Sequence, residues 1–137
     1  MEQKLQYIVD KIGELNIQIT EKQAEQFFRY YELLVEWNGF MNLTGITDFE
    51  EVVCKHFVDS LSIISTKDMS TVDNLIDIGT GAGFPGLPLK IAFPNVKVTL
   101  LDSLNKRIQF LDHVIEKTGL TDIETIHGRA EDFAKPG

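Results

Sequence analysis

The chain of 137 residues has the length of a single domain, and its 43% apolar and 25% charged residues are typical of a globular protein. Its 21 acidic and 13 basic residues give a net charge of −8, which argues against binding nucleic acid by bulk charge alone. A single cysteine, Cys54, excludes an internal disulfide, and no segment reaches the roughly 20 apolar residues of a membrane span. We expect a cytoplasmic protein, with Cys54 in the core.

Residues 1–70 are predicted to form an N-terminal helical region. The first helix has its apolar face at Leu5, Ile8, Val9, Ile12 and Leu15. Thr20 and Gln23 fit a capping box for a second helix, which we expect to end at Gly39. Its apolar stripe is Phe27, Phe28, Tyr31, Leu34 and Val35. Asp48 is the predicted cap of a third helix, whose apolar side holds Val52, Val53, His56, Phe57, Leu61 and Ile64.

Residues 71–137 alternate between strands and helices. Apolar runs predict strands at 74–78, 96–101 and 123–126, and Pro85 and Pro88 fit the first turn of the helix that follows the first strand. Ser103 is the predicted cap of the next helix, which ends near Gly119. The alternation predicts an α/β fold with a parallel sheet and right-handed crossovers. Because three strands make an incomplete doubly wound sheet, we expect a truncated chain.

A glycine loop connects the first predicted strand to its helix. Gly81, Gly83 and Gly86 fit the G-x-G-x-x-G fingerprint of dinucleotide-binding folds, which requires this position between a strand and a helix. Asp77, Gly79 and Gly81 fit a second template, in which an acid and a G-x-G end the strand. That template is the usual first motif of class I S-adenosylmethionine methyltransferases. Both templates predict a loop that binds an adenosine-containing cofactor.

The residues near the loop favour S-adenosylmethionine over NAD without excluding NAD. Asp102 ends the second strand about 20 residues further on, where a carboxylate binds the ribose of either cofactor. Pro85 removes one of the backbone donors that a pyrophosphate uses at a helix start. Asp77 repels phosphate but suits the cationic methionine end of S-adenosylmethionine. A glycine turn without a ligand is the third alternative, and the coincidence of loop, strand end and Asp102 disfavours it.

A set of motifs in a fixed order resembles the RsmG (GidB) family of bacterial methyltransferases over nearly the whole chain. The motifs are Trp37-Asn38, Asn42-Leu43-Thr44, His56-Phe57-Val58-Asp59-Ser60-Leu61, the glycine loop, Leu100-Leu101-Asp102-Ser103, Lys106-Arg107 and Phe110-Leu111. The resemblance implies a Rossmann-like class I fold, of which residues 71–137 are the N-terminal half. It also implies S-adenosylmethionine-dependent methylation of ring nitrogen seven of a guanine in 16S ribosomal RNA.

The resemblance also implies functional residues. Together with the loop templates, it gives a cofactor-binding set of Asp77, Gly79, Gly81, Gly83, Phe84, Asp102, Ser103, Leu104, Ala130 and Glu131. Asn42 and Arg129 match positions near the substrate and are the candidate catalytic residues. We interpret His56 as a hydrogen-bonded residue that ties the third helix to the sheet. Lys106 and Arg107 fit contacts with RNA phosphates and a solvated helix face equally well.

The implied partner is 16S ribosomal RNA or the small-subunit particle, with no membrane and no metal. Family members continue through further strands, and an arginine of that later part belongs to their cofactor pocket. We therefore expect this chain to hold the adenosine half of the site and to be a poor catalyst by itself. Two alternatives stay open: an NAD-dependent oxidoreductase, and a non-enzymatic helical interaction module.

Overall fold

A computed structural model describes residues 2–63, 69–129 and 131. Its first half contains helices α1 (Glu2–Gly13), α2 (Glu21–Met41), α3 (Phe49–Val52) and α4 (Asp59–Ser62), and a π-helical segment (Val53–Val58) joins α3 to α4. The second half runs through β1 (Asn74–Ile78), α5 (Gly86–Ala92), β2 (Lys97–Asp102), α6 (Asn105–Thr118) and β3 (Ile123–His127). The predicted succession of a helical region and alternating strands and helices is confirmed.

The three strands form one parallel sheet in the order β1-β2-β3. Ile78 at the end of β1 lies opposite Leu101, and Asp102 at the end of β2 lies opposite His127. The carboxyl ends of all three strands therefore meet at one edge, which is where open α/β sheets bind ligands. This arrangement confirms the predicted parallel sheet of an α/β fold with a helical extension.

Helix α2 joins the helical region and the sheet into one hydrophobic core. It packs against α1, α5 and α6, and the ring of its fully buried Tyr30 lies 5.4 Å from that of Phe57 and 6.4 Å from that of Phe110. The predicted stripe of α2 was wrong in part, since Val35 is 37% exposed while Tyr30 and Leu33 are buried. The reason is that α2 contacts several elements and so buries a wider side than a single stripe.

Two predicted helix ends need correction. Helix α2 continues past Gly39 to Met41 and stops at Asn42, which adopts left-handed φ 52° and ψ 55°. Gly39 stays helical because a helical glycine costs only about 1 kcal/mol. Ser103 does not cap α6: the residue before this helix is Leu104, whose N–H donates to Oδ1 of Asp102 at 2.9 Å. The predicted hydroxyl cap is therefore wrong, and the buried carboxylate instead binds the backbone directly before the helix.

Two predicted helix caps are confirmed, whereas the predicted burial of Cys54 is wrong in part. Gln23 N–H donates to Oγ1 of Thr20 and Thr20 N–H donates to Oε1 of Gln23, which completes the capping box. Asp48 caps α3 through the N–H of Glu51. Cys54 is half-buried, with its Sγ 3.4 Å from Oη of Tyr7, rather than fully enclosed.

Ile64, predicted on the apolar side of the third helix, lies outside the described residues. Among residues 2–63, 69–129 and 131, no helix has both the length and the apolar character needed to cross a bilayer.

Candidate cofactor site

The loop between β1 and α5 turns through three glycines with positive φ. Gly79, Gly81 and Gly83 have φ values of 71°, 61° and 105°, which residues other than glycine rarely adopt. The N–H groups of Gly79 and Thr80 donate to the carbonyl of Leu101, at 2.8 and 3.1 Å. The loop therefore turns back over the end of β2. Glycine permits the positive φ values of this turn, and the carbonyl of Leu101 accepts from the N–H groups of Gly79 and Thr80.

Asp77 braces this loop from the inside. Its Oδ2 accepts hydrogen bonds from Oγ1 of Thr80 at 2.6 Å and from the N–H of Gly86 at 2.9 Å. Burial raises the pKa of the Asp77 carboxyl, while these two hydrogen bonds oppose the rise. A Cβ on Gly86 would lie 2.9 Å from Oδ2 of Asp77 and 2.4 Å from Cδ2 of Leu100. Residue 86 must therefore be glycine for the carboxylate to reach the first turn of α5.

Asp102 holds the opposite side of the loop. Its Oδ2 accepts from the N–H of Gly81 at 2.8 Å, and its Oδ1 accepts from the N–H of Leu104 at 2.9 Å. Arg107 Nη1 lies 3.6 Å from the same Oδ2, and the Asp102 side chain is only 2% exposed. A single carboxylate thus fixes the glycine loop, the start of α6 and one cation. Each of its oxygens has a second lone pair, so it can still accept from a ligand hydroxyl.

A cavity of about 340 Å³ opens at the carboxyl edge of the sheet, between the glycine loop and the residues that follow β2 and β3. Its lining consists of Ile78, Gly79, Leu101, Asp102, Ser103, Gly128, Arg129 and Glu131. A larger cavity of about 420 Å³ lies between α1 and α2. The cavity at the sheet edge is nevertheless the better candidate, because it joins a glycine loop, a buried carboxylate and the topological position at which α/β folds bind cofactors.

Comparisons with known proteins identify the family. Residues 5–137 match the family model GidB, described as rRNA small subunit methyltransferase G. The chain belongs to this family. The curated Ribosomal RNA small subunit methyltransferase G of Lachnoclostridium phytofermentans is 54% identical over 127 residues, which are 93% of this chain and 52% of the relative. Proteins of the same name from Staphylococcus aureus strain Newman and from Alkaliphilus metalliredigens are each 51% identical, over 131 and 132 residues.

These GidB relatives confirm the resemblance seen in the sequence. The S. aureus and A. metalliredigens matches cover 96% of this chain and 55% of each relative. The chain therefore spans about half the length of the curated relatives that it matches. Membership in a methyltransferase family implies in general a methyl donor as cofactor.

The GidB chain brings part of the predicted cofactor set together in the cavity. Gly79, Asp102, Ser103 and Glu131 line it, and so does Arg129, which was predicted on the substrate side. Ala130 lies outside the described residues. The Arg129 and Glu131 side chains are both exposed, and Nη1 of the arginine lies 3.5 Å from Oε1 of the acid.

The other predicted residues do not line the cavity. Gly81 donates to the cavity residue Asp102, and Asp77 braces the loop from the inside. Gly83 and Phe84 belong to the loop but lie against Tyr30 on its core side. Leu104 is 50% exposed at the start of α6. Asn42 is an exposed residue at the end of α2 and does not contribute to the cavity wall.

Sequence reasoning missed the residues that hold the loop in place. Tyr30 donates from its hydroxyl to the carbonyl of Ala82 at 2.5 Å, and Thr80 donates to Asp77. Burial, together with the charge of Asp77, holds the pKa of Tyr30 well above its usual range, so the phenol is a permanent donor. The position of Thr80 between two glycines was a usable signal. Tyr30 gave none, because its partner lies 52 residues away in the chain.

No metal site is found in the part of the chain that the structure describes. Among residues 2–63, 69–129 and 131, no group of three or more His, Cys, Asp or Glu side chains converges as metal ligands would.

Proposed function

We propose that this chain forms the S-adenosylmethionine-binding part of an enzyme that methylates ring nitrogen seven of a guanine in 16S ribosomal RNA. The observation that carries the proposal is the glycine loop of a GidB-family chain, open towards a cavity and fixed by the carboxylate of Asp102. The substrate is the ribosomal RNA alone or the small-subunit particle. A cytoplasmic location follows from such a substrate.

The loop meets the steric requirement of a bound adenosine. A Cβ added to Gly79 or Gly81 would meet no heavy atom within 4 Å, so the backbone there faces open space that a ligand can fill. The cavity of about 340 Å³ lies near the lower end of the roughly 300–1,000 Å³ typical of ligand pockets. This volume suits the adenosine half of the cofactor. We propose that the segment by which the relatives exceed this chain completes the methionine half.

The polar groups at the cavity match an adenosine. We propose that the remaining lone pairs of Asp102 accept from the ribose hydroxyls, and that the backbone of Ser103 and the apolar side chain of Leu104 contact the adenine edge. We propose that Glu131, which lines the cavity, closes over the base together with Ala130. Asp77 braces the loop through its bonds to Thr80 and Gly86. We propose that its negative charge also attracts the cationic methionine end of S-adenosylmethionine.

The proposed chemistry needs no proton transfer before the methyl group moves. S-adenosylmethionine supplies an electrophilic methyl group on a sulfonium, and ring nitrogen seven of guanine presents a free lone pair. A general base is therefore unnecessary, and we assign none. The contribution of this chain is positioning and electrostatics. Asn42 is proposed to orient the guanine edge, and Arg129 to hold an RNA phosphate or its neighbour Glu131.

Calorimetric titration with S-adenosylhomocysteine and, separately, with NAD tests the cofactor. We expect the first to bind and the second not to. Gly79→Arg should abolish binding, because its side chain fills the space in front of the loop. Gly119→Arg is the matched control, since Gly119 has a φ of 70° like the 71° of Gly79 and also faces open space, but lies at the end of α6. NAD binding, or equal loss of binding in the two variants, contradicts the proposal.

Methylation is tested with the full-length protein and purified small ribosomal subunits. Arg129→Ala should reduce methyl incorporation, because an exposed guanidinium at the cavity mouth is lost. Lys97→Ala, an exposed cation at the opposite end of β2, is the control and should leave incorporation unchanged. Unchanged methylation by the Arg129 variant removes this residue from the site.

A further inference from the structure

His56 lies between the glycine loop and residues 42–47, which belong to the connection between α2 and α3 and are called the 42–47 segment below. Its ring stacks on that of Phe84, with centroids 4.4 Å apart and planes 14° from parallel. On the other side, its Nε2 lies 2.7 Å from Oγ1 of Thr44 and shares a hydrogen bond with it. One side chain thus contacts both the loop proposed for the cofactor and the segment that begins with the proposed substrate residue Asn42.

Thr44 is itself held in a fixed orientation. Its N–H donates to Oδ1 of Asn38 at 2.8 Å, and its Oγ1 accepts from the N–H of Ile46 at 3.1 Å. The hydroxyl therefore cannot turn freely, and the hydrogen bond that it shares with His56 fixes the plane of the imidazole. The 42–47 segment in this way determines how the imidazole faces Phe84.

The backbone under His56 is fixed as well. His56 belongs to the π-helical segment Val53–Val58, and π-helical turns are rare and frequently found at functional sites. Phe57 is fully buried with its ring 5.1 Å from that of Phe27, and Ser60 Oγ donates to the carbonyl of His56. Because Phe57 anchors the segment in the core, the ring of His56 cannot follow a displaced loop by rotation of the helix.

We propose that His56 is a positioning residue that sets the orientation of Phe84 and couples the 42–47 segment to the glycine loop. The proposal deepens the proposed function and, for its effect on ligand binding, rests on it. A fixed conformation of the 42–47 segment, which contains the proposed substrate residue Asn42, then also fixes the orientation of Phe84 in the loop proposed for the cofactor. Substitution of Thr44, which does not line the cavity, should therefore weaken cofactor binding.

Amide hydrogen exchange tests the coupling without any cofactor. The N–H groups of Gly83 and Phe84 both donate to the carbonyl of Thr80, so their exchange reports opening of the loop. Thr44→Val keeps the shape of the side chain and removes the hydroxyl. It should accelerate exchange at both amides about three- to tenfold, the range that corresponds to one lost hydrogen bond, with amides of β2 unchanged.

Two variants serve as controls for Thr44→Val. Thr44→Ser retains the hydroxyl and should restore the exchange rates of the unchanged protein. Thr47→Val makes the same chemical change at an exposed position of the 42–47 segment and should have no effect. His56→Phe keeps the ring but loses the hydrogen bond, so it should match Thr44→Val. The double variant should be no faster than either single one, because both remove the same interaction.

The affinity for S-adenosylhomocysteine supplies the second measurement. We expect Thr44→Val and His56→Phe to weaken it about three- to tenfold, again without additivity. Unchanged exchange at Gly83 and Phe84 in Thr44→Val, or fully additive effects, overturns the role of His56. If the unchanged protein does not bind S-adenosylhomocysteine, the proposed function fails, while the exchange rates still decide whether His56 positions the loop.

Discussion

Gly83 is the position at which the glycine loop tolerates a side chain least. Its φ is 105°, beyond the left-handed well near 57° that non-glycine residues occasionally occupy. A Cβ there would lie 2.5 Å from Cδ1 of Leu87 and 2.6 Å from Oη of Tyr30. Tyr30 cannot withdraw easily, since its hydroxyl donates to the carbonyl of Ala82 and its ring is fully buried.

The expected cost of Gly83→Ala combines these two effects. A backbone in a sparsely populated region costs about 1–3 kcal/mol, and overpacking of a dense core costs about 1–3 kcal/mol. We therefore expect the free energy of unfolding to fall by about 2–6 kcal/mol, a large share of the roughly 5–15 kcal/mol that stabilises a typical domain.

Urea unfolding followed by circular dichroism measures this loss. Gly81→Ala is the matched control: its φ of 61° lies within the left-handed well, and its Cβ would meet no atom within 4 Å. The control should cost only about 1–2 kcal/mol. Equal losses in the two variants would refute the reasoning, because they would mean that Leu87 and Tyr30 do not restrict residue 83.

Three further predictions concern the helical region. Tyr30→Phe should lower the free energy of unfolding by about 1–3 kcal/mol, because the carbonyl of Ala82 loses its donor in a buried place; a loss near zero in urea unfolding contradicts this. Thr20→Ala should cost about 1 kcal/mol through the lost capping box, and an unchanged melting temperature argues against the cap. Burial lowers the pKa of His56, against a smaller opposing effect of Asp59, so folding favours the neutral imidazole. Stability should therefore fall as the pH drops below about 6.5, the unfolded value, and His56→Phe should reduce that fall between pH 7.5 and 5.5.

The features that could be predicted from sequence depend on neighbours along the chain. The capping box at Thr20, the cap at Asp48 and the strand before the glycine loop each involve residues within a few positions of one another. Helix ends were less predictable, because several residues competed for the same role. Gly39 and Asn42 both suit a helix end. Helix α2 ends at Asn42, whose N–H donates to the carbonyl of Asn38.

The parts of the site that escaped prediction depend on contacts between distant residues. Asp102 was expected as a ribose ligand, but nothing in the sequence indicates that it also accepts from Gly81, 21 residues earlier, and from Leu104, directly before α6. His56 likewise stacks on Phe84, 28 residues away, from within a π-helical segment, and the apolar periodicity of an α-helix does not reveal this contact.

The two carboxylates at the glycine loop hold its backbone from two sides. Oδ2 of Asp77 accepts from Thr80 and Gly86 on the inner side, while Oδ2 of Asp102 accepts from Gly81 on the side of the cavity. The backbone between these bonds is fixed at both ends, and its glycines face open space. A ligand that enters this space therefore does not bear the entropic cost of ordering the loop, and more of its contact energy is available for affinity. Burial and, to a smaller extent, the charge of Asp102 raise the pKa of Asp77, so the ionised Asp77 carboxylate that holds the loop costs stability at neutral pH.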